Sequence, residues 1–147
     1  MPLVQNKKIY HDYEILKKIE AGLKLQGFEV KSLKDGQGSL AGAYIIIRGN
    51  EAFAVGMRIP PYQIKNTPAD YDPYRPRKLL LHGKEIAELA GYEKQKGLTI
   101  VPVSVYNKSG KVKVEIAVAR GKKKHDKREA IKKRDIEREI GRTLKNR

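Results

Sequence analysis

Leu98 to Ala119 reads LTIVPVSVYNKSGKVKVEIAVA. Two runs rich in β-branched residues, Leu98–Tyr106 and Lys111–Ala119, flank the polar turn signal from Asn107 to Gly110, the pattern of an antiparallel hairpin. In the second run Val112, Val114, Ile116 and Val118 fall on one face, while Lys111, Lys113 and Glu115 fall on the other. That period of two makes a strand with one face buried. Pro102 has no N–H to give a ladder, so an edge or a bulge is expected there.

Upstream, the same alternation recurs from Tyr13 to Leu25, with Tyr13, Ile15, Ile19, Ala21, Leu23 and Leu25 at odd positions and mostly charged residues between them. This predicts one long strand, with Gly22 as the site of a bulge that curls it. Gly27 opens a short helix on which Phe28, Val30 and Leu33 share a side, ended by Asp35-Gly36. Ala43–Arg48 and a return run carrying Phe53, Val55, Met57 and Ile59 are joined by Gly49-Asn50, a second hairpin. Pro60, Pro61, Pro68, Pro73 and Pro76 then forbid regular structure, and a loop of this length is expected to be functional or mobile. Leu79–Leu81 is apolar, and Ile86, Leu89 and Ala90 mark one face of a helix over Lys84–Ala90. Five or six curled antiparallel strands with one or two helices predict a mainly β fold, a small closed antiparallel barrel of the oligonucleotide-binding (OB) type.

The 147 residues carry a formal charge of +15. Arg120–Arg147 holds thirteen Lys or Arg against five acids, so it supplies +8 of that total. Its few apolar residues, Ile131, Ile136, Ile140 and Leu144, form too narrow a stripe to offset the entropy of ordering it. The expected organisation is a barrel over 1–119 and a basic tail over 120–147 that is disordered when free and helical when bound. Acids at Asp126, Glu129, Asp135, Glu137 and Glu139 pair at helical spacing with basic residues and support that induced helix.

Such an excess of positive charge points to a polyanion, above all nucleic acid. Lys7, Lys8, Lys31, Lys34, Arg75, Arg77, Lys78, Lys111 and Lys113 are candidates for phosphate contacts, with Tyr and His side chains among them to stack on unpaired bases. No apolar run is long enough to span a bilayer, and MPLVQNKKIYHDYEI lacks the apolar core of a signal peptide, so a cytoplasmic protein is expected. Without Cys, and with His11, His82 and His125 far apart, neither a metal nor a cofactor is expected. Nor is an enzyme: His11-Asp12 falls at the start of a strand, His125-Asp126 lies in the tail, and Gly36-Gln37-Gly38 is a turn with no phosphate-binding loop after it.

Four stretches, NKKIYHDYEI, EAGLKLQGFEVKSLKDGQGSL, YRPRKLLLH and RGKKKHDKREAIKKRD, resemble in one register the bacterial SsrA-binding protein family, small protein B. The resemblance implies an OB-type barrel that grips the tRNA-like end of transfer-messenger RNA (tmRNA) in the rescue of stalled ribosomes. It also implies a tail that enters the decoding centre of the small subunit, against 16S rRNA, and runs as a helix into the empty mRNA channel. By position, Asn6, Glu20 and Leu80 match residues tied in the family to tmRNA binding, and Lys113 falls in a strand of the same surface. His125 matches a histidine that stacks on a decoding-centre base, with Asp126, Lys127 and Arg128 beside it. Lys122, Lys123, Lys124, Ile131, Lys132 and Arg134 complete the expected ribosome-facing set. No membrane or small-molecule partner is implied. The alternatives are a general ribosome-associated or RNA-chaperone protein on the same barrel, and a tRNA-modifying enzyme that docks through the basic face.

Overall fold

The computed structural model describes residues 2–63, 65 and 67–121. Seven strands form one antiparallel sheet: β1 (Pro2–Gln5), β2 (Tyr13–Leu23), β3 (Tyr44–Arg48), β4 (Glu51–Val55), β5 (Arg77–Leu80), β6 (Leu98–Lys108) and β7 (Lys111–Gly121). Three helices accompany them: α1 (Ile9–Asp12), α2 (Gly27–Lys34) and α3 (Gly83–Glu93). The sheet order is β1-β6-β7-β2-β5-β4-β3.

The expected barrel does not close. Its end strands β1 and β3 are not paired with one another, and β3 instead lies against β6. A physical reason is visible on both sides of the gap. The Ile47 N–H on β3 donates to Glu93 Oε2 at the end of α3, 3.1 Å away, and Pro102 interrupts the donor row of β6. An acid that occupies an edge amide also protects that edge from pairing with another chain.

The β6–β7 hairpin forms as the alternation requires, turning at Ser109 and Gly110, both with positive φ. A bulge follows Pro102, with the register shifting between Pro102 and Ser104. The bulge of β2 is not at Gly22 but at Leu16, between Ile15 and Lys17. One extra residue exchanges the faces of a strand. Tyr13 and Ile15 therefore join a small cluster with Ile9, Val101, Val103, Ala117 and Ala119, whereas Ile19, Ala21 and Leu23 join the main core. Ile9 comes from α1, a single helical turn that contains His11 and Asp12, which the sequence had placed at a strand start.

β7 continues to Gly121, pairing Arg120 with Glu14 and Gly121 with Tyr13, so the ladder passes the expected boundary at Ala119. In β4 the buried residues are Ala52 and Ala54, not Phe53 and Val55; Gly56, at φ 80°, then changes the phase so that Met57 and Ile59 turn inward. The helix over Lys84–Ala90 is α3, which runs through Gly91 and buries Leu89 completely.

α2 departs from its expected face most. Leu33 is buried, but its fellows are Glu29 and Ser32, while Phe28 and Val30 are only half-buried. Glu29 is the centre of a charged cluster. Arg75 reaches it through Nε and Nη2 at 3.0 and 2.5 Å, and Arg77 through Nε and Nη2 at 3.0 and 2.7 Å. The Gln26 N–H donates to Oε1 at 2.8 Å, capping the helix start. Arg77 also donates to the Met57 carbonyl and to Tyr71 Oη. The single Tyr71 proton lies between Glu29 Oε2 at 2.8 Å and the Ile59 carbonyl at 2.7 Å. Burial alone would raise the Glu29 pKa; the two guanidinium groups, the Gln26 N–H and Tyr71 outweigh it and hold the carboxyl at about 2. Burial and the neighbouring Glu29 carboxylate push Tyr71 up to about 12. This cluster pins the proline segment to α2 and fixes where β5 begins.

Candidate nucleic-acid interface

The outer face of β2, β5 and β7 and the first turn of α3 enclose a groove of about 600 Å³. Register explains its floor. Gly22 pairs with Leu80 on one side and Lys113 on the other, and Lys113 pairs with Tyr106, so Leu80, Gly22, Lys113 and Tyr106 form one row across four strands. Gly22 is needed because Leu80 packs over it: a Cβ there would stand 3.1 Å from Leu80 Cβ. The Leu80 side chain is thereby held up and remains 54% exposed. Gly22→Val is expected to cost about 1–3 kcal/mol through overpacking. A lowered denaturant midpoint would register it, and an unchanged midpoint would show that the β2–β5 contact yields freely.

Glu20, Lys78, Leu80 and Lys113, far apart in sequence, all line this groove. A second groove, of about 380 Å³, adjoins it and is lined by Lys34, Lys111, Leu25 and Val30, with Leu80, Gly22 and Lys113 shared between the two. An exposed apolar side chain on a ridge, with amines along both flanks, suits a nucleic acid: the amines meet phosphates and the apolar tip meets a sugar or base. Lys78 is 2.9 Å from Glu51, whereas Lys113 makes no ion pair among the described residues.

The remaining sequence candidates are placed differently. Asn6 donates its backbone N–H to the Val103 carbonyl at 2.9 Å, beside β6 and separated from Glu20 by β6 and β7. Lys7 and Lys31 are exposed outside the groove. Arg77 is a correction to the phosphate-contact reading, since it is fully buried and all its described partners are internal. Arg75 is likewise engaged by Glu29, which leaves it a part in holding the loop. Lys122, Lys123, Lys124, His125, Asp126, Lys127, Arg128, Ile131, Lys132 and Arg134 lie outside the described residues.

Two groove residues, His82 and Glu85, and two that reach the groove through Glu20, Tyr106 and Lys108, were missed in the sequence. His82 and Glu85 come from the start of α3, where the Glu85 carboxylate accepts the His82 N–H at 3.0 Å. Tyr106 donates to Glu20 Oε2 at 2.5 Å, and Lys108 Nζ stands 3.3 Å from both Glu20 oxygens. The Tyr106 hydrogen bond, followed by Lys108, holds the Glu20 carboxyl below its usual range, while burial and then Glu20 push the Tyr106 hydroxyl up. Hairpin register, which sets Tyr106 opposite Lys113, was the signal that could have found it.

Comparison with known proteins agrees over nearly the whole chain. Residues 3–146 match the family described as SmpB protein. A curated SsrA-binding protein of Oleidesulfovibrio alaskensis is 54% identical over 97% of this chain and 91% of its own length. One from Paraburkholderia xenovorans is 46% identical, over 99% of both chains. A solved structure described as "tmRNA-SmpB: a journey to the center of the bacterial ribosome" superimposes with a TM-score of 0.70 at 42% identity, covering 92% of this chain and 95% of that one.

Proposed function

This chain belongs to the SmpB family, and on that premise we propose that it binds the tRNA-like domain of tmRNA and delivers it to stalled ribosomes for trans-translation. In this reading it is an RNA-binding factor of the cytoplasm and not an enzyme, and the curled sheet is a partly open barrel of the OB type. The observation that carries the proposal is the convergence of Glu20, Leu80 and Lys113 on one groove. Three residues that the resemblance linked to one RNA, separated by up to 93 positions, line one surface.

The tail has the second role: residues 122–147 enter the decoding centre and the vacated mRNA channel, with His125 stacking on a base and the Lys and Arg side chains meeting 16S rRNA phosphates. Charge and helical spacing in the sequence support this part.

Binding to the isolated tRNA-like domain tests the groove. Lys113→Ala is expected to weaken binding and to reduce the slope of log affinity against log salt by about one, the signature of one lost phosphate contact. Leu80→Ala should weaken binding with the slope unchanged. If both variants bind like the parent, the groove is not the interface. A general RNA chaperone would show no preference for the tRNA-like fold over an unstructured RNA of equal length, and competition between the two RNAs separates that reading from this one.

A further inference from the structure

The carboxylate of Glu20 is out of place in a groove for phosphates. It lines the groove with Lys78 and Lys113 in a strongly basic chain, where it would repel the backbone of any nucleic acid that enters. Its surroundings give it another task. The Tyr106 hydroxyl, on β6, reaches across β7 to donate to Oε2 on β2, while Lys108 lies at 3.3 Å from each oxygen. An ionised carboxylate only accepts hydrogen bonds, and each oxygen has two lone-pair directions. The tyrosine proton occupies one direction on Oε2. Among the described residues Oε1 has only the longer Lys108 contact, and it keeps capacity to accept from a ligand.

The clasp has a second effect. Lys113 sits in the next row of the same face, and its charge already acts on Glu20, so an unheld carboxylate would turn toward it. Two such groups would neutralise each other. Held by Tyr106, Glu20 remains an acceptor and Lys113 makes no ion pair among the described residues.

Resting on the reading of this groove as an RNA interface, we infer that Tyr106 is a positioning residue. Its hydroxyl, with Lys108, holds Glu20 as a fixed acceptor for a hydrogen-bond donor of the RNA, either a base N–H or a ribose 2′-hydroxyl, and leaves Lys113 to the adjacent phosphate. The division explains how a basic groove discriminates among RNAs: the phosphate contact is common to all of them, whereas the acceptor admits only a nucleotide that presents a donor at the right place.

A double-mutant cycle with the full chain and the tRNA-like domain RNA tests this. Electrostatics alone requires Glu20→Gln to bind more tightly, because a negative charge is removed. The inference requires it to bind about tenfold more weakly, with Tyr106→Phe weaker by a similar factor and the double variant no worse than Glu20→Gln alone. The salt slope should not change in Tyr106→Phe, since no cation is removed. Lys108→Gln, which leaves the tyrosine in place, should show a smaller loss, also coupled to Glu20. RNA with 2′-deoxy sugars in its loops separates the two sources of the donor: the cost of Glu20→Gln vanishes there if the donor is a ribose hydroxyl and persists if it is a base. Parent-like binding by Tyr106→Phe, additive losses in the cycle, or equal or tighter binding by Glu20→Gln would each overturn the inference. If instead the parent protein showed no preference for the tRNA-like RNA, the reading of the groove itself would have failed.

Discussion

Glu29→Ala is expected to destabilise the fold by about 3–5 kcal/mol, the loss that follows when one member of a buried ionic group is removed and its partners remain. Arg77 is fully buried and would keep its charge with no counter-ion, while Arg75 would lose both of its contacts to the carboxylate. Thermal melting should fall by roughly 10–20 °C. Glu29→Gln keeps the shape but not the charge, so it should recover little. A parent-like melting temperature for either variant would show that the cluster contributes nothing to stability.

The same group sets an acid limit. Its folded pKa, about 2, lies below the ordinary carboxyl value of 4.5, so its contribution is fully present above pH 4.5 and is lost as pH falls through about 2. That contribution is on the order of 3 kcal/mol at neutral pH. Denaturant midpoints followed between pH 5 and pH 2 should fall in the parent and remain flatter in Glu29→Gln, which has no carboxylate to protonate. A parallel fall in both proteins would assign the acid sensitivity elsewhere.

Deletion of 122–147 is expected to abolish rescue of stalled ribosomes and leave the fold in place. Among the described residues the strand ladder runs to Gly121, paired with Tyr13, and both hydrophobic clusters draw on residues no later than Ala119, so a cut after Gly121 removes none of these contacts. A cut before Gly121 would remove a paired residue and confuse the result. Overall affinity for any RNA should drop, because much of the positive charge is lost, but selectivity should not. Within the tail, Ile131→Pro keeps every charge and costs roughly 3 kcal/mol in a helix interior. It should therefore reduce rescue if the tail acts as a helix, and should have no effect if the tail is only a flexible cationic tether.

The parts of this fold that could be read in the sequence are those where neighbours in the chain are also neighbours in space. The β6–β7 hairpin follows from alternation around a short turn, and β3–β4 from Gly49-Asn50. Gly22 shows the limit: a glycine in a strand can mark a bulge or a close approach, and only Leu80, 58 positions away, decides for the second. Glu29 is a stronger case. On a short helix an acid reads as a solvent-facing residue, and the arginines that bury it are 46 and 48 positions downstream. For the same reason Arg75 and Arg77, basic residues beside a tyrosine-rich loop, read as phosphate ligands when they hold that loop in place. At the groove, Glu20 and Leu80 came from resemblance, Lys78 came from charge, and Lys113 came from both. Hairpin register sets Tyr106 opposite Lys113, but its hydrogen bond to Glu20, like that of Lys108, stayed hidden because a bond that crosses an intervening strand leaves no local pattern.

In the proposed function the folded sheet, without the tail, carries the recognition of the tRNA-like RNA. The most direct test is the ratio of affinities of residues 1–121 for the tRNA-like domain of tmRNA and for an unstructured RNA of equal length, both measured at one salt concentration. That ratio should match the full chain's within about threefold, a difference of less than 1 kcal/mol. A ratio near one for residues 1–121, beside a clear preference in the full chain, would place recognition in the tail and contradict it.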